Sequence, residues 1–302
     1  MDNIHNVTVL MSTYNGSKYI REQINSILSQ KNVCVKLVVR DDGSKDDTLN
    51  ILEEYKIQGK LLYYTGQNLG PQCSFMHLLN NVEANEYYAF ADQDDVWLDD
   101  KLYSAVSVLE KHNDSASLYF CQTQLVDACL NKLDNVVIHP KLTFGESLVY
   151  AYASGCTMVF NDKLRNIVVS RKLPRNMPMH DLWLILTNMA FCGYTYFDKV
   201  PHILYRQHGN NEVGLGQGTI YMWKLRLRHF LSNGNIRYLR AFNLYKTYGN
   251  SIPLENRELL KEFVDGKRSL IKRIGIVFDK RLRCSDRTTQ ILFWLNVLMN
   301  KY

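Results

Sequence analysis

The run Val7-Thr8-Val9-Leu10-Met11-Ser12-Thr13-Tyr14-Asn15-Gly16 decides how the rest of the chain is read. Its first half is a β-rich apolar segment, and its second half is a polar, turn-prone cluster. Tyr19, Ile20, Gln23, Ile24, Ile27 and Leu28 then recur at helical spacing. Val33 to Val39 is again strand-like and stops at Arg40-Asp41-Asp42-Gly43-Ser44. Leu49, Leu52 and Tyr55 mark a second helix, with Asp46 or Asp47 placed to cap it. Leu61 to Tyr64 gives a third strand, and a helix comes next through Phe75 to Leu79. Tyr87 to Ala91 gives a fourth strand, ending at Asp92-Gln93-Asp94-Asp95. This alternation predicts an α/β fold, a parallel sheet with helices on both faces. Ligands of such sheets bind beyond the carboxyl ends of the strands. The polar clusters come directly after strands one, two and four, so they fall on that edge.

Beyond residue 118 the pattern is mixed. Leu118 to Cys121, Thr157 to Phe160, Tyr194 to Phe197 and Ile203 to Tyr205 read as strands, and Leu182 to Ala190 as a helix. Gly209 to Gly218 holds four glycines and two asparagines and reads as a loop or hinge. From residue 219 to the end the pattern is mostly helical. The charge divides at the same place. The net +6 of the 302 residues is the sum of −5 over residues 1–218 and +11 over residues 219–302. A body of 1–218, with halves of about 1–117 and 118–218, is therefore expected to carry a basic helical extension, 219–302. With 46% hydrophobic residues the chain is not disordered, and 16 Gly with 6 Pro exclude a collagen-like repeat. Seven cysteines without a CxxC pair argue for free thiols rather than a zinc site or disulfide framework. No leader pattern opens the sequence, and no run of about 18 apolar residues occurs. The expectation is a cytoplasmic protein.

Asp92-Gln93-Asp94 carries the first chemistry. Residues two apart in an extended segment point to one side. Two carboxylates so placed can grip Mg²⁺ or Mn²⁺, which prefer oxygen ligands; an acidic surface turn is the alternative. Asp41 or Asp42 could accept hydrogen bonds from a nucleobase or ribose, or serve only turn and cap chemistry. Ser12, Thr13 and Tyr14 offer hydroxyls and a ring on a third loop of the same edge. A GxxxxGK[ST] phosphate loop is absent from the sequence, and Gly214-Leu215-Gly216-Gln217-Gly218 lacks the leading strand of a dinucleotide fingerprint.

Taken together, these clusters resemble the family 2 glycosyltransferases of the GT-A fold. The matching segments are Val9 to Gly16, Gln23 to Gln30, Arg40 to Ser44, Asn68-Leu69-Gly70 and Asp92 to Leu98, within a resemblance spanning roughly residues 5–215. The resemblance implies a Rossmann-like mixed sheet. It also implies a nucleotide-facing loop at Ser12, Thr13 and Tyr14, a base-binding carboxylate at Asp42 or Asp41, and donor contacts from Asp92 and Gln93. Asp94 would be the metal ligand, helped by Asp92 and His208. Asp181, in Met179-His180-Asp181, resembles the general base that takes the acceptor hydroxyl proton; it could equally be an ordinary N-terminal helix residue, a place that favours negative charge. Tyr205-Arg206-Gln207-His208 resembles a segment that closes over the diphosphate, with Arg206 able to pair with phosphate. Gly155 and His180 would border the diphosphate or acceptor. Gly155 also fits an ordinary turn, and Cys156 fits core packing.

The activity so implied is an inverting, metal-dependent transfer of a sugar from a nucleotide-sugar, with Mn²⁺ or Mg²⁺ as cofactor. The motifs are most similar to bacterial rhamnosyltransferases of surface polysaccharide synthesis, which implies dTDP-rhamnose and a lipid-linked saccharide acceptor. UDP-glucose or UDP-galactose as donor, a nucleotidyltransferase and a non-catalytic scaffold stay open. In the extension, Trp223 to Leu231 interleaves cations with apolar groups, and Ile236, Leu239, Phe242 and Tyr245 recur at helical spacing with Arg237, Arg240 and Lys246 between them. Such helices suit an anionic membrane surface, here the inner face of the plasma membrane, or pack on the body with solvated cations outside. No nucleic-acid motif accompanies the charge.

Overall fold

The computed structural model describes residues 4–135, 137–207 and 235–302. Strand β1 (His5–Thr13) lies inside a seven-stranded sheet, third from one edge, and explains its layering. Side chains alternate across a strand. Val7, Val9 and Met11 enter one hydrophobic core, and Leu10 enters the other. β2 (Val33–Asp41) and β4 (Tyr87–Ala91) divide in the same way, Val39 and Ala89 on one side, Val38 and Phe90 on the other. Strands buried on both faces need helices on both faces. α1 (Ile20–Leu28), α2 (Thr48–Ile57) and α4 (Lys101–Leu109) cover the first core. α3 (Pro71–Asn81), α6 (Asp162–Val169) and α7 (His180–Ala190) cover the second.

The sheet order is β3-β2-β1-β4-β8-β6-β9, with β3 at Leu62–Thr65, β6 at Ser117–Cys121, β8 at Val159–Asn161 and β9 at Tyr194–Asp198. β1, β2, β3 and β4 run parallel, in a register that sets Thr13 beside Asp41 and Met11 beside Ala91. The three polar clusters therefore leave from one edge. β8 pairs antiparallel with both β4 and β6, which makes the sheet mixed, as the resemblance implies. The chain re-enters at the carboxyl edge through a 3₁₀ turn at Gly155–Thr157, and Val159 lies opposite Ala89 with Asn161 opposite Tyr87, so β8 runs back. A second sheet, β5-β10-β7, joins β5 (Val96–Trp97), β10 (Ile203–Arg206) and β7 (Gln124–Val126). Two- and three-residue strands have no periodicity, which is why β5 and β7 leave no sequence signal.

After α5 (Phe144–Val149), the described C-terminal helices are α8 (Ile236–Tyr248), α9 (Leu254–Asp265), α10 (Leu270–Phe278) and α11 (Arg287–Leu298). Ala241, Leu244, Leu260, Phe263, Phe293 and Val297 join the same core as Phe75 and Trp183, so this region packs on the body. α8 departs from its sequence pattern. Ala241, Leu244 and Tyr248 face inward, while Ile236, Leu239 and Phe242 are exposed. The small Ala241 sits in the contact, and Tyr248 donates to the Val168 carbonyl (3.2 Å). His208, the glycine-rich 209–218 segment and Trp223 to Leu231 lie outside the described residues. All seven cysteines are free. Among the described residues, no helix is long and apolar enough to cross a membrane.

Candidate active site

Gln93 ties two edge loops together. Its Oε1 accepts from the Thr13 hydroxyl (2.6 Å) and the Tyr14 N–H (2.9 Å), and its Nε2 donates to the Tyr14 carbonyl (3.1 Å). Gly16 makes room for it, because a Cβ there would lie 2.2 Å from Gln93 Oε1. The amide expected to contact the donor therefore shapes the loop that Ser12, Thr13 and Tyr14 form. Ser12 in turn donates to Ser74 Oγ (2.7 Å), and the ring of Tyr14 is exposed.

Asp41 and Asp42 are placed differently from the expectation of an open base-binding carboxylate. Both are buried. Asp41 accepts from the N–H groups of Gly43 (3.0 Å) and Ser44 (2.9 Å) and from the Ser44 hydroxyl. Asp42 pairs with the buried Arg40 and accepts from Leu69 N–H (2.9 Å) and Gly70 N–H (2.8 Å). A carboxylate offers about four lone-pair sites, so Asp42 is filled by the chain and Asp41 keeps one. Asp42 holds the Asn68-Leu69-Gly70 turn, where Gly70 adopts a φ of 75° ahead of Pro71 and α3.

Asp92 and Asp94 are half-buried, and Asp95 is fully buried. Ligand atoms of Asp92, Asp95 and Cys156 lie within 4.8 Å of one another. Burial, with the charges of Asp92 and Asp94 beside it, pushes the Asp95 carboxyl well up from its usual range. Burial pushes the Cys156 thiol up as well, with Asp95 adding to it. A protonated thiol is a poor ligand for a hard cation, whereas the carboxylate oxygens suit Mg²⁺ or Mn²⁺. The oxygen set of the 92–95 turn thus fits such an ion, and Cys156 is part of the wall.

The resemblance puts Arg206 at phosphate, and its place in the structure corrects this. It is 1% exposed. Its Nε donates to the Asp94 carbonyl (2.8 Å), its Nη1 to the Ala128 carbonyl (2.6 Å) and its Nη2 to Glu22, while the Tyr19 ring lies 4.5 Å from its guanidinium. As the last residue of β10 it braces the 92–95 turn from beneath.

Asp181 opens α7 and is half-buried. Its Oδ2 accepts from Gly155 N–H (3.2 Å) and its Oδ1 from Leu182 N–H (2.6 Å). Gly155 is buried rather than open to an acceptor, and a Cβ on it would lie 2.5 Å from His180 Nε2. His180 is likewise no surface ligand. It stacks on Phe75 at 4.0 Å, both ring nitrogens lack a hydrogen-bond partner among the described residues, and burial lowers its pKa to about 4, so it is a neutral core ring. Gly155 meets Asp181 and the next residue, Cys156, meets Asp92 and Asp95, so one turn joins the candidate base to the carboxylate cluster. Sequence reasoning gives Asp95 no role, although it stands beside Asp94, and takes Arg240 for a cation that meets an anionic membrane or faces solvent.

The glycosyl transferase family 2 model matches residues 8–164. The chain is a family 2 glycosyltransferase. It is 30% identical over 216 residues to the dTDP-rhamnosyl transferase RfbG of Shigella flexneri, covering 68% of this chain and 73% of that protein. It is 28% identical to the putative teichuronic acid biosynthesis glycosyltransferase TuaG of Bacillus subtilis, over 62% of this chain and 74% of the relative. Among solved structures, S. aureus TarS 1-349 in complex with UDP-GlcNAc superposes with a TM-score of 0.56 at 16% identity, over 97% of this chain and 90% of that one. The glycosyltransferase thus has the GT-A fold in its body, with helices added at the C-terminal side.

Proposed function

We propose that this glycosyltransferase moves rhamnose from dTDP-rhamnose to a lipid-linked saccharide, with inversion, in bacterial surface polysaccharide synthesis. The observation that carries the reading is the Gly155–Cys156 turn, which sets Asp181 on one side and Asp92 with Asp95 on the other. The name of RfbG supports the donor, and that of TuaG supports a cell-wall polysaccharide product.

Asp94 and Asp92, with Asp95 behind them, would hold Mn²⁺ or Mg²⁺; when bound, the ion supplies charge neutralisation for the leaving nucleoside diphosphate. The loop of Ser12, Thr13 and Tyr14, which Asp41 and Asp42 support from inside the edge, receives the nucleotide. Asp181 takes the acceptor hydroxyl proton as the oxygen attacks the anomeric carbon. The C-terminal helices provide peripheral contact with the cytoplasmic face of the membrane, where a lipid-linked acceptor resides.

The test is thermal unfolding of the purified protein with dTDP- and UDP-sugars, each with and without Mn²⁺ or Mg²⁺. Metal-dependent protection by dTDP-rhamnose, lost in Asp94→Asn, is expected. Protection by UDP-sugars alone would move the donor to UDP-glucose or UDP-galactose, and no protection by any sugar nucleotide would sink the reading.

A further inference from the structure

Helix α8 breaks the amphipathic rule. Ile236, Leu239 and Phe242 are 37%, 42% and 38% exposed, whereas Arg237 and Arg240 lie on the side of the buried Ala241, Leu244 and Tyr248. A surface helix ordinarily turns its apolar stripe inward and its charges out. Local violations of this kind concentrate where function needs them.

The two arginines differ in their partners. Arg237 donates from Nε to the Val149 carbonyl (2.7 Å), and its guanidinium lies 5.9 Å from the Phe293 ring. Arg240 makes no hydrogen bond or ion pair among the described residues, and its Nε is buried. Burial, and then the charge of Arg237 beside it, lower its pKa to about 10. A desolvated guanidinium with no hydrogen-bonded partner, and only the more distant Asp181 charge to balance it, costs free energy that an incoming anion removes.

Its position is fixed by its neighbours on the helix. Arg237, one turn earlier, reaches Val149 at the end of α5. Asn243, one turn later, donates to the Asn176 carbonyl (2.9 Å), and the Tyr248 ring lies 5.8 Å from Trp183 on α7. Arg240 therefore sits between the end of α5 and the segment that leads into Asp181, whose charge reaches it.

We propose that Arg240, assisted by Arg237, binds an anionic phosphate group carried by the acceptor, next to the base that activates its hydroxyl. The proposal rests on the transferase reading above and adds to it the chemistry of the acceptor. A guanidinium meets phosphate with two parallel N–H donors, a stronger match than a point charge. The phosphate can belong to a lipid diphosphate or to a soluble phosphorylated saccharide, and both present the same group.

The test titrates inorganic pyrophosphate and geranyl diphosphate into the full-length protein by calorimetry without added metal, for wild type, Arg240→Met and Asp94→Asn. Wild type and Asp94→Asn are expected to bind both, and Arg240→Met at least tenfold more weakly, the scale of a lost charge-assisted bond. Tighter binding of geranyl diphosphate assigns the group to a lipid, and equal binding assigns it to phosphate alone; both support the site. Equal affinity in Arg240→Met and wild type, or loss in Asp94→Asn only, overturns it. Arg240→Met also removes an unpaired buried cation, so its unfolding midpoint is expected to hold or rise. Arg240→Lys keeps the charge and is expected to bind at intermediate strength. A Lys variant that binds as poorly as the Met variant, with both unfolding earlier than wild type, marks a merely structural arginine and overturns the proposal. Failure of sugar nucleotides to protect the wild type would refute the transferase reading while leaving this anion site standing.

Discussion

The backbone N–H of Arg206 donates to Asp95 Oδ1 over 3.1 Å, while the same residue's Nε holds the carbonyl of Asp94. Strand β10 is thereby bolted to the turn that carries Asp92, Asp94 and Asp95. Arg206→Ala is expected to lower stability by about 3 kcal/mol. The exposed Glu22 contributes little to this; the cost comes from leaving two carbonyls unsatisfied. Arg206→Lys keeps charge but not the fork, and is expected to weaken apparent Mn²⁺ affinity by about tenfold, as loss of an outer-shell partner does. Urea unfolding and metal titration of both variants check this; an unchanged metal affinity in Arg206→Lys would show that the brace does not reach the ion.

Gly155→Ala tests the turn between base and carboxylates. The added methyl would meet His180 Nε2 at 2.5 Å and Asp181 Cβ at 3.5 Å. Overpacking of this kind costs about 1–3 kcal/mol. Because the clash falls on His180, the residue before Asp181, it shifts the first turn of α7, and kcat is expected to drop while donor affinity holds. Steady-state kinetics with donor titration separates the two, and a change in donor KM alone would contradict the placement.

Much of this edge is legible from residues 7–95, because apolar runs ending in polar clusters report strands and the loops beyond them. Val9 and Ala89 enter one core, Leu10 and Phe90 the other, and continuous burial leaves a strong signal. The roles within the edge are less legible. Asp42 and Gln93 look like ligand groups in sequence, but their hydrogen bonds are spent across gaps of 27 and 79 residues on Leu69 and Tyr14. Arg206 reads as a phosphate partner in sequence until β10 carries it beneath Asp94. The orientation of α8 is hidden for a related reason. Its apolar periodicity points to Ile236, Leu239 and Phe242, whereas Ala241 and Tyr248 decide which side docks.

His180 gives a pH dependence with a definite sign. Its pKa is lowered by burial from 6.5 to about 4. Between these values the unfolded chain binds the proton and the folded protein does not, so stability falls as pH drops from 6.5 toward 4 and is level above 6.5. The contribution is about 3 kcal/mol at most. His180→Phe, which keeps a ring stacked on Phe75, is expected to flatten this slope. Chemical denaturation of both proteins at pH 7 and pH 5 measures it, and the idea fails where the two lose stability equally.

Asp181→Asn retains the shape of the side chain and one of its two acceptor oxygens, and loses its basicity. Transfer is expected to fall by about 10²–10⁴, the usual contribution of a positioned base. Thermal protection by the donor is expected to persist, because Asp181 faces Gly155 rather than the loop of Ser12 to Tyr14. Near-normal transfer in Asp181→Asn would assign the proton to another group.

Membrane contact is expected through α10 rather than α8. Leu270, Ile271, Ile274 and Phe278 are exposed and fall within about 100° of the helix circumference, and the buried Ile276 points the other way into the body. α11, which packs against α10, exposes Ile291, Leu295, Leu298 and Met299 on a stripe of similar width. From Asp265 to Tyr302 the chain holds nine Lys and Arg against three Asp and Glu. Apolar stripes set among cations match an anionic bilayer surface, where each cation contributes about 1 kcal/mol. Full-length protein is expected to float with vesicles of phosphatidylcholine and phosphatidylglycerol, less so at high salt, and to stay behind with phosphatidylcholine alone. Ile271→Asp with Phe278→Asp is expected to abolish flotation without lowering the unfolding midpoint, because both side chains already face water. Light scattering provides the opposing outcome: a dimer that the same substitutions dissociate, with no vesicle binding, would assign these faces to a second copy of the chain.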